Sequence, residues 1–572
     1  MASFLQTNHF KPALPRPNTI PLFQLYDDTN PPLQGSPSPF HLDAWDTLLQ
    51  SYPGDLHLII TNILRFGALI GYEGPHRYIL SENLLSANDA PEVMHDKLLE
   101  DLRLSRVVPT IPQHPFISSP LGFAPKHDGS LRRIHHLSHP PGRSVNDGIP
   151  EVFASLDYVT FHAVLDMVVR AGRNCVIMKR DIKDAFRNIP LAPHIQWLLG
   201  FNWEDKFYKE TCLPFGLRTA PFVFNLFAEG FHWILQSYLN WELLAHYLDD
   251  FIRAIPHDVA TPDYLAQQIQ DYILLTDLLG IPRNDKKDEL GQKVTVLGYL
   301  IDTTRMEAQL PLDKLERARQ AAAKATTAGS ISLVDIQSLA GFLSFCSPVV
   351  RLGWVFMRRI WTFIASYPTS SKFAKRRIPS GVMDDLEWWK QLLPNFNGVL
   401  FFDTNTREAI SLYTDASNIG LGGFWYSDPH NLWWTNAISR VPSTQAFASP
   451  YVHPTMSKFD INIYELKAIL IALQTWGPRW SRKSITVSTD SATAQSGLRR
   501  LTLKDPSENE VLRQIILLAA QHDIVLIPRW ISGISNTLAD ALSRSHINVI
   551  ADICPHWQDP TFFNFKPHLL IG

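Results

Sequence analysis

The chain has 572 residues, which is too long for a single hydrophobic core and indicates about three to four domains. Hydrophobic residues make up 45% of the chain and charged residues 19%, which excludes a disordered chain, and no apolar run is long enough to cross a bilayer. The net charge of -3 excludes a surface that is basic throughout, so any nucleic-acid binding would depend on local clusters such as residues 131–136 and 372–377.

Composition and apolar spacing divide the chain into successive segments. The first segment is rich in Pro, Ser and Asn, and the second shows helix-like apolar spacing without evident chemistry. The predicted segments are a flexible leader (1–40), a helical N-terminal region (41–105), a mixed strand and helix region (106–302), a mainly helical region (303–400), an alternating strand and helix block (405–545) and a tail (546–572).

Compartment and redox chemistry follow from the start of the chain and from the cysteines. The N-terminal stretch lacks the apolar core of a signal peptide, which predicts an intracellular protein, cytoplasmic or nuclear, without a membrane association. The 4 cysteines lie far apart, with no pair at metal-ligand spacing. Neither a zinc site nor a disulfide framework is therefore expected.

Three aspartates stand out in the mixed region. An apolar strand in VIMKRDIKDAFRNIPL ends at Asp181, and AHYLDDFIRAI sets Asp249 beside Asp250 inside a strand-like run. Adjacent carboxylates repel each other, so the fold must compensate them with cations or water. A solvated turn would explain the Asp-Asp pair alone, and a helix cap would explain Asp181 alone. If the two strands are neighbours, the aspartates converge and can hold two Mg²⁺ ions about 3.5–4 Å apart for in-line phosphoryl transfer.

The segment CLPFGLRTAPFVFNLFAEGFHWIL lies between these aspartates. It combines a tight Pro-Phe-Gly turn with an amphipathic helix, and Pro221 suits the first turn of that helix. One apolar stripe of the helix is expected to pack in the core: Phe224, Phe227, Phe231 and Leu235. Core packing does not explain the order of a strand ending in Asp, a Pro-Phe-Gly turn with a helix, and an Asp-Asp hairpin.

In this order the segments resemble the motifs of reverse transcriptases, nearly continuously from residue 105 to 302. DIKDAF resembles the first catalytic motif, LPFGLRTAP the nucleotide-and-template motif and YLDD the Tyr-x-Asp-Asp hairpin. GFAPKHDGSLRR, NDKKDEL and VLGYLI are similar to the finger motifs, the leaving-phosphate lysine motif and the primer grip. The resemblance implies that Asp181, Asp249 and Asp250 are catalytic and bind metal. It also implies nucleotide contacts by Lys126, Arg132, Asp184, Phe186, Phe215, Gly216 and Lys287.

Phe186 bears on the sugar of the nucleotide. In the geometry of the family its ring lies under the sugar and collides with a ribose 2′-OH, which predicts a preference for deoxynucleotides. An RNA-dependent RNA polymerase would need a polar residue there, although a Phe could also simply pack. Phe215 stands where retroviral enzymes carry Gln, so the nucleotide contacts are expected to differ at that position.

The last block carries four acids, each in a different predicted element. Asp415 ends a strand before a Gly-rich turn, Glu465 lies on an amphipathic helix, Asp490 ends a second strand and Asp540 lies on a late helix. Taken alone, each could be a cap or a solvated charge. In this order they resemble the Asp-Glu-Asp-Asp set of ribonuclease H, which implies that all four are catalytic ligands of two Mg²⁺ ions. The histidine that retroviral and cellular relatives carry before the last acid is missing from PRWISGISNTLAD.

The sequence therefore predicts an α+β multidomain protein, a right-hand polymerase with fingers, palm and thumb followed by an α/β ribonuclease H-like domain. The resemblance implies copying of an RNA template into DNA from a DNA or RNA primer with dNTPs, and cleavage of RNA in RNA-DNA hybrids. Two Mg²⁺ or Mn²⁺ ions are expected in each active site. The motifs most resemble DIRS-type retroelements and next gypsy-class long-terminal-repeat elements. The alternatives are a non-enzymatic, genome-resident descendant that binds nucleic acid or protein, and a metal-dependent nuclease alone.

Overall fold

The computed structural model describes residues 32–125, 129–350, 353–368, 373–391, 393, 397–400, 408–427, 445–450 and 460–553. These residues divide into two compact units. The first unit runs to Leu297 and includes Ile301–Met306, and the second comprises Gly298–Leu300 and the residues from Glu307 onward. Within the described ranges, no helix is long and apolar enough to cross a bilayer.

The first unit mixes helices with short strands. Its helices are α1 (Leu42–Leu49), α2 (Leu56–Phe66), α3 (Leu85–Asn88), α4 (Pro91–Arg103), α5 (Phe161–Ala171), α6 (Ala220–Leu239) and α7 (Pro262–Leu279). Its strands are β1 (Tyr78–Leu80), β2 (Val107–Thr110), β3 (Phe116–Ser118), β4 (Leu121–Pro125), β5 (Leu131–His135), β6 (Val176–Asp181), β7 (Gly200–Trp203), β8 (Lys206–Glu210), β9 (Leu244–Tyr247), β10 (Asp250–Ile255), β11 (Glu289–Gly291) and β12 (Lys293–Val296). Strand β13 (Tyr299–Asp302) has residues in both units.

The second unit continues this mixed composition. Its helices are α8 (Leu312–Ala328), α9 (Leu333–Cys346), α10 (Arg358–Ala365), α11 (Ser380–Gln391), α12 (Asp460–Trp476), α13 (Ala492–Arg500), α14 (Pro506–Gln521), α15 (Thr537–Ser543) and α16 (Ile547–Ile553). Its strands are β14 (Glu307–Gln309), β15 (Ser330–Ser332), β16 (Lys375–Arg377), β17 (Val399–Leu400), β18 (Ala409–Ala416), β19 (Gly420–Ser427), β20 (Gln445–Pro450), β21 (Ser484–Thr489) and β22 (Val525–Trp530).

The core of the first unit lies between a four-stranded sheet and helix α6. The strand order is β11-β6-β10-β9, and β10 is antiparallel to both β6 and β9. The predicted apolar stripe of α6 is buried in this core, as expected for a helix that packs on a sheet: Phe224, Phe227, Phe231 and Leu235. The sheet therefore has one covered face, which fixes the register of β6 against β10.

Helices α1 and α2, which the sequence left without a role, belong to the same core. Trp45 is fully buried, and its ring centroid lies 5.6 Å from that of Phe227 on α6. Its indole N–H donates to the carbonyl of Leu279 at the end of α7. A Cβ at Gly230 of α6 would lie 2.7 Å from the side chain of Ile60 on α2, so the absence of a side chain allows this close approach. The N-terminal helices thus complete the hydrophobic core of the first unit.

The main sheet of the second unit has the strand order β20-β19-β18-β21-β22. Strands β20, β19 and β18 are antiparallel neighbours, whereas β18, β21 and β22 run parallel. Helix α15 packs so closely on β19 that a Cβ at Gly422 would overlap the backbone of Ser543. Because β18 and β21 are parallel, their carboxyl ends meet at the same edge of the sheet.

A buried ion pair joins two helices of the second unit. Asp385 on α11 is fully buried, and Arg513 on α14 approaches its carboxylate to 2.6 Å. The same guanidinium lies 4.6 Å from the ring centroid of Phe356. Burial raises the pKa of Asp385 to about 6, although Arg513 opposes that rise. The helical segment after residue 307 and the five-stranded sheet domain therefore share a polar contact that is costly to break from one side.

Replacing Trp45 by Ala should loosen the core around α6, and not only α1. Deleting a buried Trp ring typically costs about 3–5 kcal/mol of stability, because a cavity remains. Hydrogen-exchange mass spectrometry of the full chain should therefore show faster exchange in peptides of α6 and α7. The control is Leu58→Ala, since Leu58 lies on α2 but is 59% exposed. Faster exchange confined to α1 and α2 would mean that these helices are a separate module.

Candidate functional site: two carboxylate clusters

Strand register brings the three predicted polymerase acids together in the first unit. Asp250 at the start of β10 is the register partner of Asp181 at the end of β6. Asp249 lies in the turn before β10, and its carbonyl accepts a hydrogen bond from the N–H of Ile182. Leu248 adopts a left-handed φ of 52°, which tightens this turn. The two predicted strands are neighbours, and the aspartates converge at one edge of the sheet.

Two further side chains hold Asp181 in place. Asp181 is only 3% exposed, and its carboxylate accepts from Lys287 Nζ at 3.0 Å and from Asn284 Nδ2 at 2.7 Å. Its backbone N–H donates to Asp288 Oδ1. Lys287 is predicted from the sequence as a site residue, whereas Asn284 and Asp288 are not, although both lie in the same NDKKDEL segment.

The cluster is electrostatically unfavourable for its own charges. Burial raises the pKa of Asp249, and the charge of Asp181 raises it further. Burial likewise raises the pKa of Asp250 to about 6, against the opposing charge of Lys179. Burial lowers the pKa of Lys287, but its hydrogen bond to Asp181 and the three carboxylate charges outweigh this, so its pKa is raised overall. Carboxylates that hinder each other's ionisation suit divalent cations, which relieve the repulsion.

A cavity of about 1020 Å³ opens beside this cluster. Five of the predicted nucleotide-contacting residues line it: Arg132, Asp184, Phe186, Phe215 and Lys287. The ring centroids of Phe186 and Phe215 are 5.3 Å apart, and the guanidinium of Arg132 lies 4.9 Å from the centroid of Phe215. Aromatic faces and a cation therefore surround the space beside the aspartates. Lys126, the other predicted cation of the hairpin formed by β4 and β5, lies outside the described residues.

Gly216 supports this cavity from outside its lining. Its φ is 110°, which L side chains rarely adopt, and a Cβ there would overlap the carbonyl oxygen of His135 on β5. The N–H of His135 in turn donates to the carbonyl of Phe215 at 3.1 Å. The Pro-Phe-Gly turn is thus packed against the β4–β5 hairpin, and this contact positions the ring of Phe215.

Part of the cavity wall was not predicted. Helix α4 and the residues just after it contribute Lys97, Asp101 and Arg106. Arg106 Nη1 donates to the carboxylate of Asp184 at 2.9 Å. In the sequence these charges are indistinguishable from a solvated helix face, because their partners lie far along the chain. No local signal could have singled them out.

The second unit brings three of its four predicted acids into a cluster. Ligand atoms of Asp415, Glu465 and Asp490 all lie within 4.8 Å of one another. Asp415 accepts a 2.6 Å hydrogen bond from the hydroxyl of Ser543, and Glu465 Oε1 accepts from the N–H of Ala416. The other oxygen of Glu465 is buried without a hydrogen-bond partner among the described residues. Hard carboxylate oxygens with an unused buried acceptor are a donor set that fits Mg²⁺ or Mn²⁺.

Asp540 is close to the cluster but occupied by another partner. Arg544, one turn later on the chain, donates from Nε to Asp540 Oδ1 at 2.7 Å. Neither Ser543 nor Arg544, which lie three and four residues after Asp540, is among the site residues predicted from the sequence. The Asp540 carboxylate would have to share or exchange this contact before it could bind an ion.

The pKa values show the cost of assembling the second cluster. Burial raises the pKa of Asp415 to about 6, and the charges of Asp490 and Asp540 add to that effect. Burial raises the pKa of Glu465 to about 9, and Asp415 and Asp490 contribute. The pKa of Asp490 is also raised, mainly by burial. As in the first cluster, ionisation of these buried carboxyl groups is unfavourable when no cation compensates them.

Comparison with known proteins matches the part of the chain that carries the first cluster. Residues 125–301 match the family model described as "Reverse transcriptase (RNA-dependent DNA polymerase)". The Pro-Pol polyprotein of Simian foamy virus type 1 is 27% identical over 205 residues, which cover 36% of this chain and 16% of that polyprotein. The Gag-Pol polyprotein of Woolly monkey sarcoma virus is 31% identical over 201 residues, covering 32% of this chain and 11% of that polyprotein. The chain thus spans less than a fifth of these polyproteins.

A likeness to solved structures is also found. A foamy viral protease-reverse transcriptase in complex with dsDNA is similar over 87% of this chain and 98% of that chain, with 15% identity and a TM-score of 0.45. A complex of the foamy viral protease-reverse transcriptase with RNA/DNA hybrid gives 13% identity and a TM-score of 0.44, covering 88% of this chain and 85% of that chain.

Both units combine helices with β-sheets, so the α+β fold class predicted from the sequence is confirmed. Residues 125–301 form a reverse transcriptase domain similar to those of retroviral and retroelement Pol polyproteins.

Replacing Glu465 by Gln should stabilise the second unit when divalent ions are absent. At neutral pH the carboxyl of Glu465, with a pKa of about 9, must take up a proton on folding, which costs free energy. The amide of Gln is neutral in both states, and its NH₂ group can donate to neighbouring carboxylates. Calorimetry of the full chain in EDTA should show a higher melting midpoint for this variant than for the wild type. Adding Mg²⁺ at about 100 times the dissociation constant should stabilise the wild type by about 2.7 kcal/mol, and the variant by less.

Glu508→Gln is the matched control, because it removes a carboxylate from α14 in the same unit, away from the cluster. Its response to Mg²⁺ should equal that of the wild type. An equal response in Glu465→Gln would show that Glu465 does not contribute to an ion site.

Proposed function

We propose that the chain is an RNA-directed DNA polymerase of a retroelement that also cleaves the RNA strand of RNA-DNA hybrids. The pairing of Asp250 with Asp181 in register, with Asp249 in the adjoining turn, is the observation that carries the proposal. It supplies three converging carboxylates beside a cavity lined by cations and aromatic rings. In this proposal, fingers and palm comprise residues 106–302, thumb and connection 303–400 and the nuclease domain 405–545.

The polymerase site would hold two divalent ions on Asp181, Asp249 and Asp250. When bound, these ions would favour ionisation of the primer 3′-hydroxyl and stabilise the leaving pyrophosphate. Lys287, which donates a hydrogen bond to Asp181, is positioned to neutralise charge on the leaving phosphate. Its raised pKa keeps it protonated at neutral pH. Arg132 and Lys126 would bind the triphosphate from the β4–β5 hairpin.

Selection of the sugar would depend on Phe186. Its ring contacts Phe215 and, at a centroid distance of 5.8 Å, Phe224 of the buried α6 stripe. A ring held on two sides cannot move aside for a 2′-hydroxyl, so the site would prefer dNTPs to rNTPs. Asp184 and Gly216 would act through the turns that carry Phe186 and Phe215.

The nuclease site would hold two ions on Asp415, Glu465, Asp490 and Asp540, with Asp540 released in part from Arg544. Bound ions would supply the activated water for attack on the RNA phosphodiester. Ser543 would orient Asp415 through its 2.6 Å hydrogen bond. The missing histidine leaves proton transfer at the leaving oxygen to water or to another group near Asp490.

The proposed partners are an RNA template, a DNA or RNA primer, the resulting hybrid and dNTPs. Recognition would be largely by backbone and shape, so affinity should fall steeply with salt. The motif wording favours a DIRS-type element over a gypsy-class element. The non-enzymatic alternative is disfavoured because all seven acids are present and six of them lie in two clusters.

Asp249→Asn should abolish dNTP incorporation on a primed RNA template with Mg²⁺. Removing one charge from the ion site should lower the rate at least about 100-fold, equivalent to about 2.7 kcal/mol of transition-state stabilisation. The control is Asp258→Asn, which removes an exposed carboxylate just after β10. A folded wild type that binds the primed template but incorporates nothing would favour the non-enzymatic alternative.

Asp490→Asn should separate the two activities. Cleavage of the RNA strand in a preformed RNA-DNA hybrid should be lost, again by at least about 100-fold, because the ion site loses a ligand. Incorporation on the RNA template should remain at the wild-type rate. Conversely, Asp249→Asn should still cleave the hybrid. If Asp490→Asn cleaved the hybrid at the wild-type rate, the second cluster would have no part in the proposed mechanism.

A further inference from the structure

A buried ionic network lies against the nucleotide cavity of the first unit, and no predicted role accounts for it. Its two carboxylates are Asp101 on α4 and Glu210 at the end of β8, named here the carboxylate pair. Its two cations are Arg133 on β5 and Arg187 in the short 3₁₀ turn Ala185–Asn188. Asp101 lies before residues 125–301, so the matched reverse transcriptase family model does not include it.

Each cation of the network contacts both members of the carboxylate pair. Glu210 is 0% exposed; its two oxygens accept from Arg187 Nη1 at 2.7 Å and from Arg133 Nη2 at 3.0 Å. Asp101, with 14% of its side chain exposed, lies 2.7 Å from Arg133 Nη2 and 3.2 Å from Arg187 Nη2. The network is therefore closed: neither cation can move without disturbing both carboxylates.

The network contains two carboxylates and two guanidinium groups, so its charges balance, and neutralising any one member is costly. Burial alone would raise the pKa of Glu210, but Arg133 and Arg187 hold it far below its usual range. Burial alone would lower the pKa of Arg187, but Glu210 and Asp101 hold it above its usual range. Glu210 and Arg187 therefore remain ionised, and loss of one carboxylate leaves a cation with too little compensation.

Both cations are direct chain neighbours of nucleotide-contacting residues. Arg133 follows Arg132, whose side chain leaves the opposite face of β5 and lies over Phe215. Arg187 follows Phe186 in the turn proposed to contact the sugar. The carboxylate pair thus links strand β5, which is proposed to bind the triphosphate, to the turn that carries Phe186, which is proposed to contact the sugar.

Arg106 reinforces the same turn. It donates to Asp184 at 2.9 Å and, more weakly, to Asn188 Oδ1 at 3.4 Å. Asp184 is held at a φ of 63°, in the left-handed region, just before the turn begins. The turn that carries Phe186 is therefore fixed at both ends by charged residues from or near α4.

We propose that Asp101 and Glu210 are positioning residues that hold the sugar-facing turn and the triphosphate-facing strand in register, and so set nucleotide affinity and discrimination between dNTPs and rNTPs. The inference rests on the proposed polymerase function, and it gives the region before residue 105 a part in nucleotide selection. Sugar selectivity depends on this register, because the ring of Phe186 excludes a 2′-hydroxyl only if the distance between the ring and the bound phosphates is fixed.

The test is Asp101→Asn in the full chain, compared with Asp101→Glu and with Asp96→Asn, an exposed aspartate on the same helix. KM and kcat are measured for a dNTP and for the matching rNTP on a primed RNA template. Asp101→Asn should raise the KM for the dNTP about tenfold, lower kcat much less, and lower the dNTP-to-rNTP discrimination at least about fivefold. Asp101→Glu should recover most of the loss, and Asp96→Asn should match the wild type.

A purely structural role predicts a different pattern. It would lower thermal stability and the fraction of active enzyme in an active-site titration, with KM and discrimination unchanged. That result would overturn the inference. Glu210→Gln should give a larger change in the same direction if it folds, which circular dichroism would establish first.

Failure of the polymerase proposal can be told apart by a binding measurement. If the wild type incorporates no nucleotide, the proposed function fails, and equilibrium binding of the dNTP and the rNTP to the protein with primed template replaces the kinetics. A dNTP-to-rNTP affinity ratio that falls in Asp101→Asn would support the inference. A ratio that is unchanged would overturn it.

Discussion

Both carboxylate clusters depend on one constraint, the free-energy cost of burying acidic side chains beside one another. In the first unit the pairing of β6 with β10 forces Asp181 and Asp250 together; in the second, parallel β18 and β21 bring Asp415 and Asp490 to one edge. Burial, with a smaller contribution from neighbouring carboxylates, raises the pKa values of Asp249, Asp250, Asp415 and Asp490. Folding supplies the opposing free energy from apolar packing behind each sheet, so the hydrophobic cores hold the charges where ions can use them.

Local sequence patterns predict which strands, turns and helices carry the acids, and the reason is physical. Strand ends, a Pro-Phe-Gly turn and an Asp-Asp hairpin are local signals, and their order along the chain carries the remaining information. Glu465 and Asp490 were placed on the correct kinds of element for the same reason. Phe186 and Phe215 were named from motifs, and the structure brings their rings together.

What the sequence did not reveal depends on pairing between distant segments. Asp101 contacts Arg133 and Arg187 only in the folded chain, and the sequence of α4 alone is that of a solvated helix face. The segment around Trp45 has helix-like apolar spacing, but periodicity alone could not show that Trp45 packs against Phe227 on α6. Asp540 was assigned to the acid set, whereas its contact with Arg544 reflects local i, i+4 geometry that competes with that role.

The contact between Trp45 and Leu279 also has a consequence for synthesis of the protein. These residues are 234 positions apart, so α1 and α2 leave the ribosome long before α7 can cover them. At about 5–20 residues per second, the exposed indole and its apolar neighbours wait for about 12–47 seconds. A nascent chain with an uncovered apolar face for that time is a chaperone substrate by its physical chemistry. The order of the helices along the chain therefore delays assembly of the first unit until α7 has been synthesised.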